Sequence, residues 1–395
     1  MNILYLTHRI PYPPNKGDKI RAFHQLQHLA QKHRVHLACL VDNPNDLPHV
    51  KDLDKYCASV EAVYRGSAGA RLHILTALST GTPLSVAAFY SRELQRRIEQ
   101  RLRSEAIDRI FVFSAAMAEY VRDVTGIPKV IDFVDADSEK WRLYANYRPF
   151  PLSWVYRLEA KRLARYEAEV ARVFDHVLFI SEAEAQVLHR PTDNLPITTI
   201  PNGVDLDYFS PNEEGQLPVS EPTIVFTGEM NYFPNVDAVR YFCQAIFPLV
   251  RRVVPQARLY IVGRHPTRQV KALDDGQHVI VTGAVPDVRP YLAAARLAVA
   301  PFRIARGIQN KVLEAMAMGL PVVGTSIAFR GLQATAADGI RSVDEPGAFA
   351  QAVVTLLQDD LGRRRCAYHA RQFVSRHHRW QDHGARLEAL LCELG

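Results

Sequence analysis

The chain has 395 residues, 48% apolar and 23% charged, which sets the expectation of two or three domains with real cores and excludes a disordered or fibrous chain. No run approaches the roughly 20 apolar residues that a membrane span needs, and the short run Ile3 to Leu6, followed at once by His8, Arg9 and prolines, reads as a strand rather than a secretory leader. The net charge of +6 points to an anionic partner, while Cys39, Cys57, Cys243, Cys366 and Cys392 form no CxxC pair, so a reduced cytoplasmic setting is expected, with no zinc site and no disulfide frame.

Taken in chain order, Asn2–Leu6 predicts a strand, Ile20–Gln31 a helix and Val35–Val41 the next strand. Ile110–Phe113, Lys129–Asp132 and His176–Ile180 predict further strands with helices between them. From Lys140 to Arg172 eight Lys/Arg stand against three Glu, interleaved with Tyr144, Tyr147, Trp154, Tyr156 and Tyr166. That stretch is either a solvated helix face or a surface that meets anionic lipid headgroups; it builds no nucleic-acid-binding motif. Pro201-Asn202-Gly203 reads as a turn, and Phe209 to Pro222, with Pro211, Gly215 and Pro218, as a linker. The alternation then restarts. Thr223–Thr227, Leu259–Val262, Val279–Val281, Leu297–Pro301 and Pro321–Gly324 predict strands, Val236–Val253 and Ile308–Met318 helices, and Gly347–Leu394 a helical end. Near-continuous apolar strands separated by helices are the pattern of parallel sheets covered on both faces. The expected division is an α/β domain over 1–205, joined by a returning helix at 380–395, a linker over 206–222, and a second α/β domain over 223–379. Ligands of such sheets sit at the carboxyl ends of the strands, and a gap between two such domains is the expected place for a site.

The most informative stretch runs from Gly307 to Val323: a loop, a short apolar helix, a stop at Gly319 and a strand after Pro321. Glu314 lies inside that helix. A carboxylate there costs several kcal/mol as an order of magnitude unless it is paired or hydrogen-bonded. A ribose diol supplies two hydroxyl donors to one carboxylate, and the N–H groups at the helix start favour a diphosphate. The alternative is a Glu paired with a neighbouring Arg.

This segment resembles the donor-binding signature of the family 4 glycosyltransferases, whose fold is GT-B: two Rossmann-like α/β domains with parallel sheets facing a central cleft. There a Glu at the Glu314 position grips the nucleotide ribose, and a second Glu usually stands eight residues earlier, where this chain has Arg306. The resemblance makes Arg303, Arg306, Asn310 and Lys311 candidates for phosphate or sugar, with the backbone of Gly307 and Ile308. Other segments resemble the family in the expected order. The loop His8 to Asp18, with Lys16 and Gly17, resembles the phosphate and acceptor loop; read without the family, it is a Pro-stiffened loop with Asp18 capping the next helix. Phe179 to Glu184 and Ile200 to Asp205 resemble a strand end and a hinge-proximal turn. Phe226-Thr227-Gly228-Glu229-Met230 resembles the first donor-domain strand and loop, but lacks the Arg and Lys that many members carry just after it. Arg264, in Ile261-Val262-Gly263-Arg264, is the expected compensation. Gly283-Ala284-Val285 resembles the loop that contacts the nucleobase. Asp135, in Ile131 to Ser138, stands where many members hold a His near the transferring sugar. The Asp135-x-Asp137 string also resembles the metal-binding motif of the single-sheet (GT-A) architecture, but the two expected sheets favour the former reading; polar caps at a strand-to-helix junction are the remaining alternative. The narrowest resemblance is to the sugar transferases of exopolysaccharide loci associated with the exosortase (PEP-CTERM) system.

The resemblance implies a retaining, metal-independent hexosyltransferase without a cofactor, using a nucleotide sugar and a glycan or polyprenyl-linked acceptor at the inner face of the cytoplasmic membrane. In it Asp135, Arg306 and Lys311 would serve the chemistry. Two other readings stay open: a nucleotide-sugar epimerase of the same architecture, which needs no acceptor, and a binding protein that kept the fold without activity. A dinucleotide-dependent oxidoreductase is excluded, because Thr7-His8-Arg9-Ile10-Pro11 stands where its Gly-x-Gly-x-x-Gly belongs.

Overall fold

In a computed structural model that describes residues 1–66, 77, 80–188, 195–211 and 221–394, the chain divides into two compact units. The first comprises Met1–Pro201 with Trp380–Gly395, the second Asn202–Arg379. The linker stretch expected over 206–222 lies largely outside the described residues.

Among the described residues the first unit has seven strands: β1 (Asn2–Thr7), β2 (Arg34–Val41), β3 (Ser59–Tyr64), β4 (Arg109–Phe113), β5 (Lys129–Val134), β6 (His176–Phe179) and β7 (Ile197–Thr199). All pair in parallel, in the order β3-β2-β1-β4-β5-β6-β7. Parallel strands need long crossovers, and helices fill them on both faces. Alternate residues therefore feed two cores. Leu4, Leu6, Leu40, Ile110, Val112 and Ile131 enter one; Ile3, Tyr5, Leu37, Phe111, Phe113 and Val130 enter the other. The C-terminal helix Trp380–Glu393 adds Leu387 and Leu391 to the second core and packs on the helix Gly17–Leu29. Trp380 stacks on His24 at 4.7 Å between ring centroids. A Cβ on Gly384 would lie 2.4 Å from His28, so this helix approaches as closely as it does only because a glycine stands there.

A fully buried ion pair crosses the centre of this unit. Arg21 Nε donates to Asp132 Oδ2 at 2.8 Å, and Gln25 Nε2 donates to the same oxygen at 2.6 Å. Asp132 Oδ1 accepts the Val134 N–H at 3.0 Å, holding Val134 at φ 68 just before Asp135. Leaving one partner of such a pair alone in the interior costs roughly 3–5 kcal/mol. Arg21→Met is expected to lower the unfolding free energy of the protein by that order, measured by chemical unfolding, whereas an exposed control such as Arg103→Met should stay within about 0.5 kcal/mol.

Among the described residues the second unit holds six parallel strands: β8 (Thr223–Thr227), β9 (Arg258–Val262), β10 (Val279–Gly283), β11 (Leu297–Ala300), β12 (Val322–Gly324) and β13 (Ile340–Ser342), in the order β10-β9-β8-β11-β12-β13. The helix expected over Val236–Val253 is interrupted. A π-helical turn at Phe242–Ile246 separates Phe233–Tyr241 from Phe247–Val253, with Pro248 in the first turn of the latter. The helical end resolves into Pro346–Gln358, Asp360–His377 and Trp380–Glu393. The three strands absent from the sequence reading, β3, β7 and β13, lie at the sheet edges; β3 is mostly half-buried and the other two have three residues each. No helix among the described residues is long and apolar enough to cross a membrane.

Each sheet reverses its strand order once, between β1 and β4 in the first and between β8 and β11 in the second. The carboxyl ends of those strands flank the crevice that open α/β sheets offer to ligands.

Candidate functional site

In the second unit that crevice is lined by the segment after β8, the segment after β9, and the loop and helix after β11. The backbones after β8 and β9 nearly touch. Gly228 and Gly263 have φ of 150° and 156°, and a Cβ on Gly263 would lie 1.6 Å from the Gly228 carbonyl oxygen. Gly228 has a second constraint, since a Cβ there would lie 2.5 Å from the Lys311 ammonium. The glycine is thus what lets Lys311 reach the end of β8.

Lys311 Nζ donates to Asn235 Oδ1 at 2.7 Å and lies over the Phe226 and Phe302 rings, at 4.4 and 5.1 Å from their centroids. Asn235 Nδ2 in turn donates to the Glu229 carbonyl at 2.9 Å. Burial lowers the Lys311 pKa to about 7, with the Glu314 charge acting in the opposite direction. Glu314 stands one turn further along the helix Asn310–Ala317, flanked by the buried Leu313, Ala315 and Met316. Some of its surface stays open, yet crowding by the protein raises its pKa to about 7, and Lys311 only partly offsets this. Its carboxylate makes no hydrogen bond or ion pair among the described residues. The alternative of a structural Arg partner for Glu314 is therefore not realised. The helix begins at Asn310 after Gln309, whose side chain provides no cap, so the first-turn N–H groups have no side-chain acceptor at the N-cap. Gly307, at φ 62, turns the loop into this helix, and Ile308 is buried against the unit.

The remaining cations do not all point where the sequence reading placed them. Arg264 Nε donates to Glu229 Oε1 at 3.0 Å, and His265 Nδ1 lies 3.2 Å from Glu229 Oε2. The expected diphosphate cation and the expected donor-loop carboxylate thus bind each other. Arg303 is held by Asp237, with Nε to Oδ2 at 3.0 Å, and rests on Tyr241 at 4.8 Å. Arg306 lies in the loop before Gly307, and its carbonyl accepts from Gln309 Nε2 at 2.8 Å. Asn310 Oδ1 accepts from Asn202 Nδ2 at 2.7 Å, and the Asn202 carbonyl lies 2.7 Å from His378 Nδ1. Val285 follows β10 in a half-buried loop, beside Asp287, which holds Arg289 against Tyr208 at 4.0 Å. The sequence reading missed Asn235 and Asp237. The only available signal was their place in the first turns of the helix that follows β8.

In the first unit, Lys16 and Gly17 are exposed at the start of the helix Gly17–Leu29. Asp18 lies in the first turn of that helix, where its Oδ1 accepts the Lys19 N–H at 3.0 Å. It also accepts from Arg9 Nη1 at 2.6 Å and lies 3.2 Å from His8 Nε2, and against the desolvation of burial these two side chains hold its carboxyl far below the usual carboxylate range. Arg9 also donates to Asp42 at 2.7 Å. Asp135 follows the strained Val134, and Asp137 pairs with Lys140 at 3.4 Å. The N–H groups of Ala136 and Ser138 are taken by Glu184 at 3.0 Å and Glu167 at 3.1 Å, carboxylates from two later helices.

Residues 221–359 match the family model described as glycosyl transferases group 1. A search of curated proteins finds no match. Among solved structures, the chain is similar to sucrose-phosphate synthase from Thermosynechococcus elongatus, at TM-score 0.75 and 18% identity, covering 100% of this chain and 99% of that one. It is similar to Anabaena HepE in complex with UDP-glucose, at TM-score 0.70 and 15% identity over 100% of both chains. A third is WaaG, a glycosyltransferase involved in lipopolysaccharide biosynthesis, at TM-score 0.67 and 16% identity, covering 98% and 99%. Two parallel-sheet α/β units of this topology define the GT-B fold, and with the matched domain they define the class: a GT-B glycosyltransferase. Within that class, the second unit carries a group 1 glycosyl transferase domain.

Proposed function

We propose that this glycosyltransferase moves a hexose-type sugar from a nucleoside diphosphate to a saccharide or polyprenyl-linked acceptor, with retention of configuration and without a metal, in bacterial exopolysaccharide or envelope glycan synthesis. The single observation that carries the donor site is Glu314: an unpaired, crowded carboxylate one helical turn from an ammonium at an uncapped helix start. A ribose diol answers the carboxylate, while Lys311 and the N–H groups at Asn310 and Lys311 answer the diphosphate. HepE has been captured with UDP and with UDP-glucose, which favours a uridine donor.

In this reading the bond from the anomeric carbon to the β-phosphate oxygen breaks as the acceptor hydroxyl oxygen bonds to that carbon on the same face. The hydroxyl proton passes to the departing phosphate. Charge builds on that phosphate, and fixed cations and helix dipoles are the means of stabilising it that these residues provide. Asp135 is assigned the hydrogen bond to the acceptor hydroxyl or the transferring sugar. Arg306 is assigned to phosphate or sugar in place of the usual Glu.

Thermal unfolding in the presence of UDP-, GDP- and ADP-sugars with EDTA tests the donor site. One nucleotide series should stabilise the protein, by about 2.7 kcal/mol at a hundredfold excess over Kd. Product analysis with and without an added glycan acceptor then separates transfer from epimerisation. Absence of stabilisation by any nucleoside diphosphate would sink the proposal, and conversion of the donor sugar without an acceptor would replace it with the epimerase reading.

A further inference from the structure

In the helix Leu152–Val173 the charges are segregated. Glu159 and Glu167 are buried on the inner face. Glu159 accepts the N–H groups of Leu84 at 2.7 Å and Ser85 at 2.9 Å, and Glu167 accepts that of Ser138 at 3.1 Å. The outer face carries Trp154, Arg157, Lys161, Arg165 and Arg172, all exposed and at spacings that keep them on one stripe of a 3.6-residue helix. Glu169 is the one exposed carboxylate of the helix, at the edge of that stripe. Arg157, Lys161 and Arg165 form no ion pair among the described residues.

At the N-terminal end of the stripe the surface turns apolar. Phe150 is 82% exposed, Trp154 59%, Leu152 48% and Tyr147 45%. Scattered exposed apolar residues are normal in a folded protein, but four within eight residues at one tip are a patch. The tip is held in place. The preceding helix, Asp137–Ala145, packs against the long one, with Trp141 edge-on to Tyr156 at 4.9 Å, so the apolar side chains are presented by a braced element.

We infer that this tip and stripe dock on an anionic phospholipid bilayer. Trp and Tyr prefer the headgroup level, a Phe and a Leu reach the acyl boundary, and a row of Lys and Arg lies along negative headgroups. Charge complementarity and the apolar tip argue for lipid together: a nucleic acid would use the cations but not the unpaired Phe and Leu. The inference stands independently of the donor-site proposal, because none of these residues belongs to that site.

The test is co-sedimentation of the full chain with vesicles of phosphatidylcholine alone and of phosphatidylcholine mixed with phosphatidylglycerol. Anionic vesicles should be bound about tenfold or more tightly than neutral ones, with release at high salt. Two double variants, Phe150→Ser/Trp154→Ser and Lys161→Glu/Arg165→Glu, should each weaken binding about tenfold or more. All four positions are exposed, so nucleotide-induced thermal stabilisation should be kept in both variants. Trp154 fluorescence should be quenched by brominated lipid. No binding to anionic vesicles, undiminished binding by both variants, or binding of a single-stranded oligonucleotide in competition with vesicles and without lipid quenching would each overturn the inference.

Discussion

Glu314→Gln is expected to raise the stability of the unliganded protein and to weaken donor binding. The two effects have opposite signs because burial disfavours the charge of this carboxylate more than Lys311 rewards it. In the fold its pKa is raised to about 7 from 4.5. Between those values the folded protein binds more protons than the unfolded chain, so the contribution of this group to stability is largest at low pH and is lost as pH rises towards 7. Above that pH the ionised side chain opposes folding, on the order of 1–3 kcal/mol. A neutral amide of the same shape removes this cost, partly offset because Lys311 loses the one nearby anion that favours its charge. The donor loses instead. Hydrogen bonds to a charged acceptor are worth about 1.5–3 kcal/mol each, so affinity for the nucleotide sugar should fall roughly 10- to 150-fold. Chemical denaturation at pH 5 and pH 8, with calorimetric titration of the donor, reads both effects. A destabilised variant with unchanged affinity would mean that Glu314 serves the fold.

That carboxylate was legible in the sequence because it breaks a local rule: a charge in an apolar helix demands a partner, and the cation one turn earlier, Lys311, donates to Asn235. The helix, its stop at Gly319 and the strand after Pro321 were legible for the same local reasons. What escaped was pairing over long separations. Arg264 looked like a free cation at the end of β9, but a carboxylate 35 residues earlier, Glu229, is its partner. Arg303 is likewise held by Asp237, 66 residues away. Asp132 reads as a polar interruption of β5, and only the sheet order brings Arg21 beneath it from 111 residues away. Edge strands escaped for another reason. β7 and β13 have three residues each, too few for a period to show, and their identity comes from the neighbour they pair with. With Arg264 and Arg303 both held by carboxylates, the ammonium of Lys311 becomes the cation on which the diphosphate reading chiefly rests.

Lys311→Met is accordingly expected to weaken binding of the nucleoside diphosphate by about 10- to 100-fold, the range of one charge-assisted hydrogen bond or slightly more. The pH dependence distinguishes this from a loss of packing. Burial lowers the Lys311 pKa from 10.5 to about 7, so between those values the unfolded chain binds more protons than the folded one and the stability contribution of this group rises with pH. A diphosphate beside Nζ favours the charged form and shifts the pKa back up. Binding above pH 7 must therefore take up a proton, approaching one per site, and affinity must decline with rising pH by up to tenfold per unit until the pKa of the complex is reached. Below pH 7 protonation of Glu314 removes the ribose acceptor, so affinity falls on that side as well and the profile peaks near neutrality. In Lys311→Met the alkaline decline and the proton uptake should both disappear while the acid limb remains. Titration calorimetry in two buffers of different ionisation enthalpy measures the uptake directly. If the wild-type protein bound a nucleoside diphosphate equally well at pH 7 and pH 9 with no proton exchange, Lys311 would not be its phosphate ligand.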